Sequence, residues 1–560
     1  MGAEAENAGR AFALVVVDEL ARDGVRHAVI APGSRSTPLA LALLEHPDIA
    51  VHVRIDERSA AYLALGIAKA GRQVVPVLCT SGTAATYFHG AVLEADLARV
   101  PLLVLTADRP PELHGIGANQ TVEQEGLYGG AVRWAPTVQT PESRPGVVDE
   151  WRELIAVACA HCRGETGNPS GPVHLNLPLR EPLIAVSDGI GFPHDLGLGA
   201  SRPPSPTGEV ARHAPAELQA RIAAAERGVV IAGDPGDLRP DDTRRFAERL
   251  RWPLIAEPHS GARSGTLALR ATDLLLADPK FVAAHVPDLA VVVGRVGLSR
   301  TLIGWLGTVP HVVVTDGGHW DVAGTAEAVY PGSLNGIDHA PAPPDWAARW
   351  RTAAEGAGER LDAILDAETV LTEPRVVRDV VDRLPPGSTL VVSSSMPIRD
   401  LDLVMNPRDG IEIVANRGVS GIDGFVSTAV GTAIARAQRG PTVAVCGDLS
   451  LLHDINGLTP GSDDRPDLTI VVINNDGGGI FSLLPQGSAV QPAAFERLFG
   501  TPHGMSFAKL ASAYEVEHLL VTDPDELART LPPTHGTGGL RIVEVRTDRT
   551  ANAALHARLR

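Results

Sequence analysis

Lysine is scarce in this sequence of 560 residues: it occurs only at Lys69, Lys280 and Lys509, so nearly all positive charge is carried by arginine. Acidic residues outnumber basic ones, 67 against 49, and the formal net charge is −18. A negative surplus disfavours nucleic acid and anionic membrane surfaces, which attract basic patches. The arginine excess is ascribed to genomic composition bias, although the planar guanidinium also suits carboxylates and phosphates. We expect small-molecule partners, with no nucleic acid and no membrane.

Long hydrophobic runs are missing and cysteines are few. No uninterrupted apolar stretch reaches the roughly 18 residues of a membrane span, and the N-terminal segment carries acidic residues where a signal peptide is basic. We therefore expect a cytoplasmic protein. The four cysteines are too few for a disulfide framework, and reduced thiols are predicted. Cys159 and Cys162 form a CxxC without a second pair at zinc-ligand spacing, so the segment WRELIAVACAHC predicts an apolar-faced helix.

Short β-branched runs alternate with helical patterns along the chain, which is typical of βαβ units and parallel sheets. Fourteen runs predict strands: HAVIAP, VHVRI, QVVPVLCT, PLLVLTA and GPVHLNLP in residues 1–185; RGVVIAGDP, WPLIAEP, LAVVVGRVG and HVVVTD in residues 186–350; STLVVSSS, GIEIVANRG, TVAVCGD, LTIVVINND and LRIVEVRTD in residues 351–560. The second block opens with a Gly/Pro/Ser/Asp-rich linker. The predicted fold class is α/β, with three domains that each contain a parallel sheet flanked by helices, and without the short period of a solenoid.

Two polar motifs in the third block follow two of these strands. Gly447-Asp448-Leu449-Ser450 comes at the end of TVAVCGD, and Asn474-Asn475-Asp476-Gly477 comes at the end of LTIVVINND. If the strands are parallel neighbours, Asp448 and Asn475 meet at one sheet edge. One carboxylate, one amide oxygen, a backbone carbonyl and a diphosphate suit Mg²⁺, and a helix N-terminus after Ser450 would add N–H donors. The same residues are also ordinary loop chemistry, and the motif alone does not decide between the two interpretations.

The 27-residue spacing from Asp448 to Asn475 resembles the motif of thiamine-diphosphate-dependent enzymes, with Leu449 in place of the usual third glycine. The resemblance implies thiamine diphosphate with Mg²⁺ or Mn²⁺ as cofactors. It makes residues 1–185 the pyrimidine-binding (PYR) domain, 186–350 the linker and central domain, and 351–560 the diphosphate-binding (PP) domain. It implies metal ligands at Asp448, Asn475 and Gly477, and further cofactor contacts at Gly447, Leu449 and Ser450.

Glu57 supplies the second half of such a site by the same resemblance. It opens the segment ERSAAYLALGIAKAG just past a strand end, where the family has the glutamate that activates the aminopyrimidine ring. Asp56 is the nearest competitor. A glutamate at a helix N-terminus is also a routine partner of the helix dipole, so this assignment depends on the presence of the second motif in the third block.

Five strings narrow the resemblance to the 2-succinyl-5-enolpyruvyl-6-hydroxy-3-cyclohexene-1-carboxylate synthases, the MenD family. They are APGSRSTPL (31–39), RIDERSAAYLALGIA (54–68), TADRPPELHGIGANQT (106–121), NRGVSGIDG (416–424) and GGGIFSLLP (477–485). The resemblance covers both outer blocks and is weak in the middle one. It implies a transferase of menaquinone biosynthesis that decarboxylates 2-oxoglutarate and adds the succinyl carbanion to isochorismate, acting as a homodimer or tetramer.

These substrates carry four carboxylates, for which bidentate arginine is the natural partner. By resemblance, the catalytic residues are Glu57, Gln120, Arg399 and Arg417. The substrate-binding residues are Ser34, Arg35, Arg109, Asn119, Gln120, Ser395, Arg399 and Arg417, with an apolar wall of Ile480, Phe481 and Leu484. Ser394, Ile422 and Ile480 would contact the cofactor, Ile422 holding it bent. For each of these arginines, the alternative interpretation is an ordinary salt bridge at the surface or between domains.

Other functions remain open from the sequence. Another thiamine-dependent 2-oxo acid decarboxylase or carboligase is the main alternative, but the middle block lacks the Gly-rich dinucleotide fingerprint expected of a flavin-binding acetohydroxyacid synthase. A regulator that has lost its chemistry would have no physical reason to keep Glu57, Asp448 and Asn475 together. His27, His89, His174 and His453 lie outside the strings that the family uses, and a structural or surface role is predicted for all four.

Overall fold

A computed structural model describes residues 7–184, 196–198, 214–318, 320–337, 340–459, 466–531 and 539–559. The chain divides into two compact units. The first comprises Met1–Glu209, Asp423–Arg436 and Asp454–Pro466, and the second comprises Val210–Ile422, Ala437–His453 and Asp467–Arg560.

The first unit is built on a five-stranded parallel sheet of order β2-β1-β3-β4-β5. Its strands are β1 (His27–Ile30), β2 (Ala50–Val53), β3 (Val75–Cys79), β4 (Leu102–Asp108) and β5 (Val173–Pro178). Its helices are α1 (Ala8–Arg22), α2 (Thr37–Glu45), α3 (Glu57–Gly71), α4 (Thr83–Thr86), α5 (His89–Leu97), α6 (Val147–Cys162) and, from the later segment, α15 (Phe425–Arg436), with 3₁₀ turns at Pro111–Leu113, Gly129–Ala131 and Ile455–Leu458. The apolar faces of α1, α2 and α6 enclose one core with the sheet.

Helices α3 and α15 cross at backbone contact distance within this unit. A Cβ atom on Gly66 would lie 2.2 Å from the Thr428 carbonyl oxygen, and one on Gly431 would lie 2.2 Å from the Leu63 carbonyl oxygen. Only glycine permits so close an approach of two backbones. The crossing fixes α3, and with it the start of that helix at Glu57, against a segment from the C-terminal part of the chain.

The second unit contains two parallel sheets, of orders β10-β9-β8-β6-β7 and β12-β11-β13-β14-β16-β15. The strands are β6 (Gly228–Ala232), β7 (Leu254–Ala256), β8 (Leu289–Val293), β9 (His311–Thr315), β10 (Ala328–Pro331), β11 (Thr389–Val392), β12 (Glu412–Val414), β13 (Thr442–Gly447), β14 (Leu468–Asn474), β15 (Glu517–Val521) and β16 (Leu540–Arg546). Every strand pair is parallel within its sheet.

The helices of the second unit flank these sheets. They are α7 (Ala216–Ala223), α8 (Pro240–Leu250), α9 (Thr272–Ala277), α10 (Pro279–Ala284), α11 (Arg300–Leu306), α12 (Pro344–Ala367), α13 (Glu373–Arg383), α14 (Met396–Val404), α16 (Asp448–His453), α17 (Gln486–Ala489), α18 (Pro492–Phe495), α19 (Phe507–Ala513), α20 (Pro524–Thr530) and α21 (Arg549–Leu559). Short 3₁₀ turns lie at Pro258–Ser260 and Gly479–Leu483, and a π-helical turn lies at Glu496–Gly500.

The predicted α/β class with three parallel sheets is confirmed, and all fourteen predicted strands are present. Two strands were missed, β10 and β15. Both lie at sheet edges, where pairing on one side only permits weak apolar patterns. β10 is only four residues long and ends in Pro331, and β15 is partly exposed. The domain boundaries at 185 and 350 stay predictions, and most of the predicted linker lies outside the described residues.

Two smaller expectations are settled by the fold. All four cysteines are free and buried, and Cys159 and Cys162 lie on the predicted helix, α6. The helix of the Asp448 motif begins at Asp448 and not after Ser450, so the predicted start was wrong. None of the helices in the described ranges is long and apolar enough to cross a membrane.

Candidate active site

Four polar segments follow four adjacent strands of the third sheet. Residues 393–395 follow β11, residues 415–418 follow β12, Asp448 follows β13, and Asn475 follows β14. Because the strands are parallel, their carboxyl ends lie at one edge, the usual position of ligand sites in open α/β sheets. The predicted neighbourhood of Asp448 and Asn475 is therefore confirmed.

Asp448 lies in the middle of this edge and is only 2% exposed. Its Oδ2 atom accepts the N–H groups of Asn475 at 3.1 Å and Gly477 at 2.9 Å, and its Oδ1 atom accepts the Leu449 N–H at 2.6 Å. Burial raises the pKa of Asp448, and the N–H groups of Gly477 and Leu449 oppose that rise. The carboxylate thus ties the turn after β14 to the start of α16.

Asn475 presents a free oxygen beside this carboxylate. Its Nδ2 atom donates to Glu373 Oε1 at 2.8 Å, whereas its Oδ1 atom is buried and accepts no hydrogen bond from any described residue. A buried amide oxygen without a donor is costly unless a ligand completes it. The Gly477 carbonyl accepts the Gly479 N–H at 3.0 Å and retains a second lone pair. These three oxygen donors fit a hard divalent cation, so the predicted donor set is consistent with the geometry.

Further ionisable groups surround these oxygens. Burial and then Asp400 raise the pKa of Glu373 to about 7, while its bond from Asn475 acts in the opposite direction. Asp400 is fully buried, and its Oδ1 atom lies 3.1 Å from His556 Nε2. Three buried carboxylates, those of Asp448, Glu373 and Asp400, therefore lie close together. A divalent cation at this edge would offset their charge.

His503 was missed by the sequence interpretation. Its Nε2 atom lies 3.4 Å from Asp448 Oδ2, and its backbone N–H donates to Asp476 Oδ1 at 2.9 Å. The surrounding residues TPHG carry no motif, and they reach the site only because the chain returns past the turn that follows β14. No sequence signal of the kind used above identifies this histidine.

Arg417 is buried in the loop after β12. Its Nη1 atom donates to Ser394 Oγ at 3.2 Å, and its carbonyl accepts Arg295 Nη2 at 2.6 Å. Arg295 Nη1 also donates to the Gly418 carbonyl at 3.0 Å. The loop after β8 in the second sheet therefore holds the loop that contains Arg417, a contact that the sequence did not predict.

A cavity of about 450 Å³ in the second unit brings predicted residues together with new ones. Arg399, Ile480 and Leu484, which the sequence analysis assigned to the substrate site, line it, and Arg300 at the start of α11 lines it as well. The Arg399 guanidinium reaches solvent, but the surrounding protein lowers its pKa, and so do the charges of Arg417 and then Arg300. Arg300 and Arg399 thus lie beside an apolar wall in a cavity that Asp273 and Asp402 also line. Asp402 is paired to Arg263 at 2.7 Å, and Asp273 accepts the Ser299 hydroxyl at 2.5 Å. Phe481 instead packs against Phe499, with ring centroids 5.5 Å apart.

Glu57 is the first residue of α3, at the carboxyl edge of the first sheet. Asp56, its competitor, is the N-cap: its Oδ1 atom accepts the Arg58 and Ser59 N–H groups, and its Oδ2 atom accepts Asn456 Nδ2 at 2.8 Å. No described residue forms a hydrogen bond or ion pair with the Glu57 carboxylate, which is half-buried. Asp56 thus has a structural role, and Glu57 is the carboxylate left for a ligand.

The loops after β3 and β4 meet at the same edge. Arg109 donates from Nη1 to Ser81 Oγ, and Gln120 donates from Nε2 to the Ser81 carbonyl at 2.9 Å. Burial lowers the pKa of Arg109, and so does the charge of Arg35. Arg35 itself donates to the Leu179 carbonyl at 3.0 Å and to Glu181 Oε1 at 3.2 Å. The structure therefore joins Arg109 and Gln120 through Ser81, which was not predicted, and places Arg35 close enough for its charge to act on Arg109.

The remaining predicted residues occupy loops and turns. Ser34 and Asn119 are exposed in the first unit; in the second, Ile422 and Leu449 are half-buried, Ser450 is buried, and Gly447 ends β13. Ser395 precedes α14, and its carbonyl accepts Arg399 Nη1 at 2.5 Å. Of the histidines given a structural or surface role, His174 contacts Thr106 Oγ1 at 2.8 Å in the first core, and burial lowers its pKa to about 4.

Comparison with known proteins identifies the two outer parts of the chain. Residues 10–127 match the family described as thiamine pyrophosphate enzyme, N-terminal TPP binding domain, and residues 407–545 match its C-terminal TPP binding domain. A 2-succinyl-5-enolpyruvyl-6-hydroxy-3-cyclohexene-1-carboxylate synthase of Thermobifida fusca is 50% identical over 99% of this chain and 98% of its own length. Synthases of the same description from Saccharopolyspora erythraea and Bacillus velezensis are 44% and 37% identical, over 99% and 96% of this chain and 98% and 95% of their own lengths.

Proposed function

Since the chain belongs to the 2-succinyl-5-enolpyruvyl-6-hydroxy-3-cyclohexene-1-carboxylate synthase family of thiamine-dependent enzymes, we propose that it decarboxylates 2-oxoglutarate and transfers the succinyl fragment to isochorismate in menaquinone biosynthesis. The observation that carries the substrate assignment is the cavity in which Arg300 and Arg399 lie beside the apolar residues Ile480 and Leu484. It offers positive charge for carboxylates and an apolar surface for a carbon skeleton.

The edge of the third sheet would hold the diphosphate and its cation. Asp448, Asn475 Oδ1 and the Gly477 carbonyl would bind Mg²⁺ or Mn²⁺, and residues Gly447–Ser450 would contact the diphosphate. Ile422 and Ile480 would support the cofactor through apolar contact. When bound, thiamine diphosphate supplies a centre that accepts the electron pair released by decarboxylation.

The chain's own side chains would then hold a proton and bind the charged groups of the substrates. Glu57 would hold a proton at the aminopyrimidine ring. Its carboxylate is available for this role because no described residue forms a hydrogen bond or ion pair with it. Arg399 and Arg417 would bind and orient substrate carboxylates. An anion would offset the burial and the repulsion from Arg417 that lower the pKa of Arg399. Gln120, Asn119 and Ser34 would orient the acceptor together with Arg35 and Arg109. The apolar wall would exclude water, which otherwise protonates the transferred fragment.

The assembly is part of this proposal. Glu57 lies in the first unit and Asp448 in the second, whereas one cofactor molecule has to contact both residues. We propose a homodimer, or a dimer of dimers, in which the PYR domain of one subunit and the PP domain of another complete each site. The reaction uses soluble metabolites, which supports a cytoplasmic location.

The test is turnover of purified protein supplied with thiamine diphosphate, Mg²⁺, 2-oxoglutarate and isochorismate. We expect CO₂ release coupled one-to-one to consumption of isochorismate. Steady decarboxylation that is indifferent to isochorismate would favour the alternative of a simple 2-oxo acid decarboxylase. Faster turnover of pyruvate than of 2-oxoglutarate, or the visible absorbance of a bound flavin, would favour an acetohydroxyacid synthase.

A further inference from the structure

A buried glutamate lies directly behind the proposed cation ligand Asn475. Glu373 is the first residue of α13 and only 2% exposed. Its Oε1 atom accepts Asn475 Nδ2 at 2.8 Å and Thr547 Oγ1 at 3.4 Å. Glu373 lies 102 positions before Asn475 in the chain and belongs to none of the motifs that predicted the site.

The chemistry of this contact decides which way the Asn475 amide faces. An amide group can present either its oxygen or its NH₂ in a given direction, and the choice follows from the hydrogen bonds available. In the structure the Glu373 Oε1 atom accepts this hydrogen bond, so it engages the NH₂ group of Asn475. The Oδ1 atom is thereby turned to the opposite side, where it is buried and accepts no hydrogen bond from the described residues.

The neighbouring asparagine provides an internal comparison. Asn474 Nδ2 donates to the buried Glu544 Oε1 at 2.8 Å, which is the same kind of contact one residue earlier. The Asn474 Oδ1 atom, however, accepts the Asp476 N–H at 3.1 Å. The Asn474 amide oxygen thus has a partner within the chain, whereas the Asn475 amide oxygen is left for a ligand.

We propose that Glu373 is a positioning residue that fixes the amide of Asn475 with its oxygen toward the divalent cation, and so sets the affinity for the cation without touching it. This inference rests on the cation site of the proposed function. Groups that orient a metal ligand from behind commonly change metal affinity by about 10- to 100-fold when they are removed. Glu373→Gln keeps the size of the side chain but offers both a donor and an acceptor, so it no longer selects one amide orientation.

The experiment measures Mn²⁺ affinity of the full-length protein at a fixed concentration of thiamine diphosphate, with free Mn²⁺ followed by electron paramagnetic resonance. We expect Glu373→Gln to weaken Mn²⁺ binding by about 10- to 100-fold and to keep most of its kcat at saturating Mn²⁺. Glu544→Gln, the matched control, loses an equivalent buried carboxylate and should bind Mn²⁺ like wild type. Equal losses in the two variants, or no loss in Glu373→Gln, would overturn the assignment.

A reciprocal exchange separates positioning from simple damage to the fold. In the double variant Glu373→Gln/Asn475→Asp, the new glutamine donates to the new aspartate, whose second oxygen faces the cation whichever way the group rotates. We expect Mn²⁺ affinity to recover relative to Glu373→Gln alone. No recovery in a double variant that unfolds at the wild-type temperature would contradict the orientation argument. Absence of Mn²⁺ binding in the wild type would instead refute the cation site itself.

Discussion

Asp448 and Asn475, 27 residues apart in the chain, are joined by one hydrogen bond: the Asn475 N–H donates to Asp448 Oδ2 at 3.1 Å. The bond places a carboxylate and an unsatisfied amide oxygen side by side at the carboxyl ends of β13 and β14. Loss of the carboxylate therefore removes a proposed cation ligand and the anchor of the turn together.

Asp448→Ala should lower the affinities for Mg²⁺ and thiamine diphosphate together, because each ligand neutralises the charge of the other. Titration of the variant with cofactor at several Mg²⁺ concentrations measures both. The cofactor affinity of the wild type should rise steeply with Mg²⁺, and that of the variant should respond weakly. Unchanged binding in the variant would refute the metal assignment of Asp448.

Glu57→Gln should abolish most turnover and leave the fold and cofactor affinity largely intact, because only the proton held at the aminopyrimidine ring is lost. Activity and cofactor binding are measured on the same preparation. Asp56→Asn is the matched control: asparagine still caps the helix, so activity near that of wild type is expected. If Glu57→Gln turns over at the wild-type rate, Glu57 is not the activating acid.

Mixed dimers test whether each site is shared between subunits. Glu57→Gln and Asp448→Ala are each inactive in our proposal, but a heterodimer of the two contains one site in which both halves are wild type. Co-expressed chains with different tags allow purification of that heterodimer, and we expect part of the wild-type activity to return. A heterodimer no more active than its parents would show that each site is built within one chain.

Arg300→Gln should raise the KM for substrate by about 10- to 100-fold, the cost of removing one charge-assisted hydrogen bond to a carboxylate. The reason is its position beside Arg399 in the cavity. Steady-state kinetics with each substrate varied in turn identifies which carboxylate it binds. Arg349→Gln removes an exposed arginine paired to Asp345 and serves as the control, with kinetics close to wild type. Unchanged KM values for Arg300→Gln would exclude a substrate contact.

His174 should make the first unit sensitive to acid. Burial lowers its folded-state pKa to about 4, below the roughly 6.5 of an exposed histidine. Below about pH 6.5 the unfolded chain therefore binds a proton that the folded chain excludes. The contribution of His174 to the free energy of unfolding is thus fully present above that pH and is lost as the pH falls toward 4. Between pH 7.5 and 5 the loss is about 2 kcal/mol.

Urea unfolding of wild type and His174→Gln at both pH values isolates this effect. The variant should lose less stability than wild type between pH 7.5 and pH 5, whatever its absolute stability at pH 7.5. Parallel losses in the two proteins would show that His174 does not carry the acid sensitivity.

The sequence by itself determined the features that short segments encode. Short β-branched runs identified fourteen strands, because buried parallel strands are nearly continuous apolar segments. The spacing between Asp448 and Asn475 identified their meeting at one edge, because adjacent parallel strands bring their carboxyl ends together. Glu57 was assigned by resemblance to the family, as the residue between a strand end and a helix start.

Only the tertiary structure decided which distant groups complete the site. Glu373 begins a helix 102 positions before Asn475, and His503 lies in a segment without a motif. Arg300 begins α11, between two strands of the second sheet. Their roles arise from packing between elements far apart in sequence, which no local periodicity records. The edge strands β10 and β15 escaped prediction because pairing on one side only leaves their residues partly exposed and their apolar pattern weak.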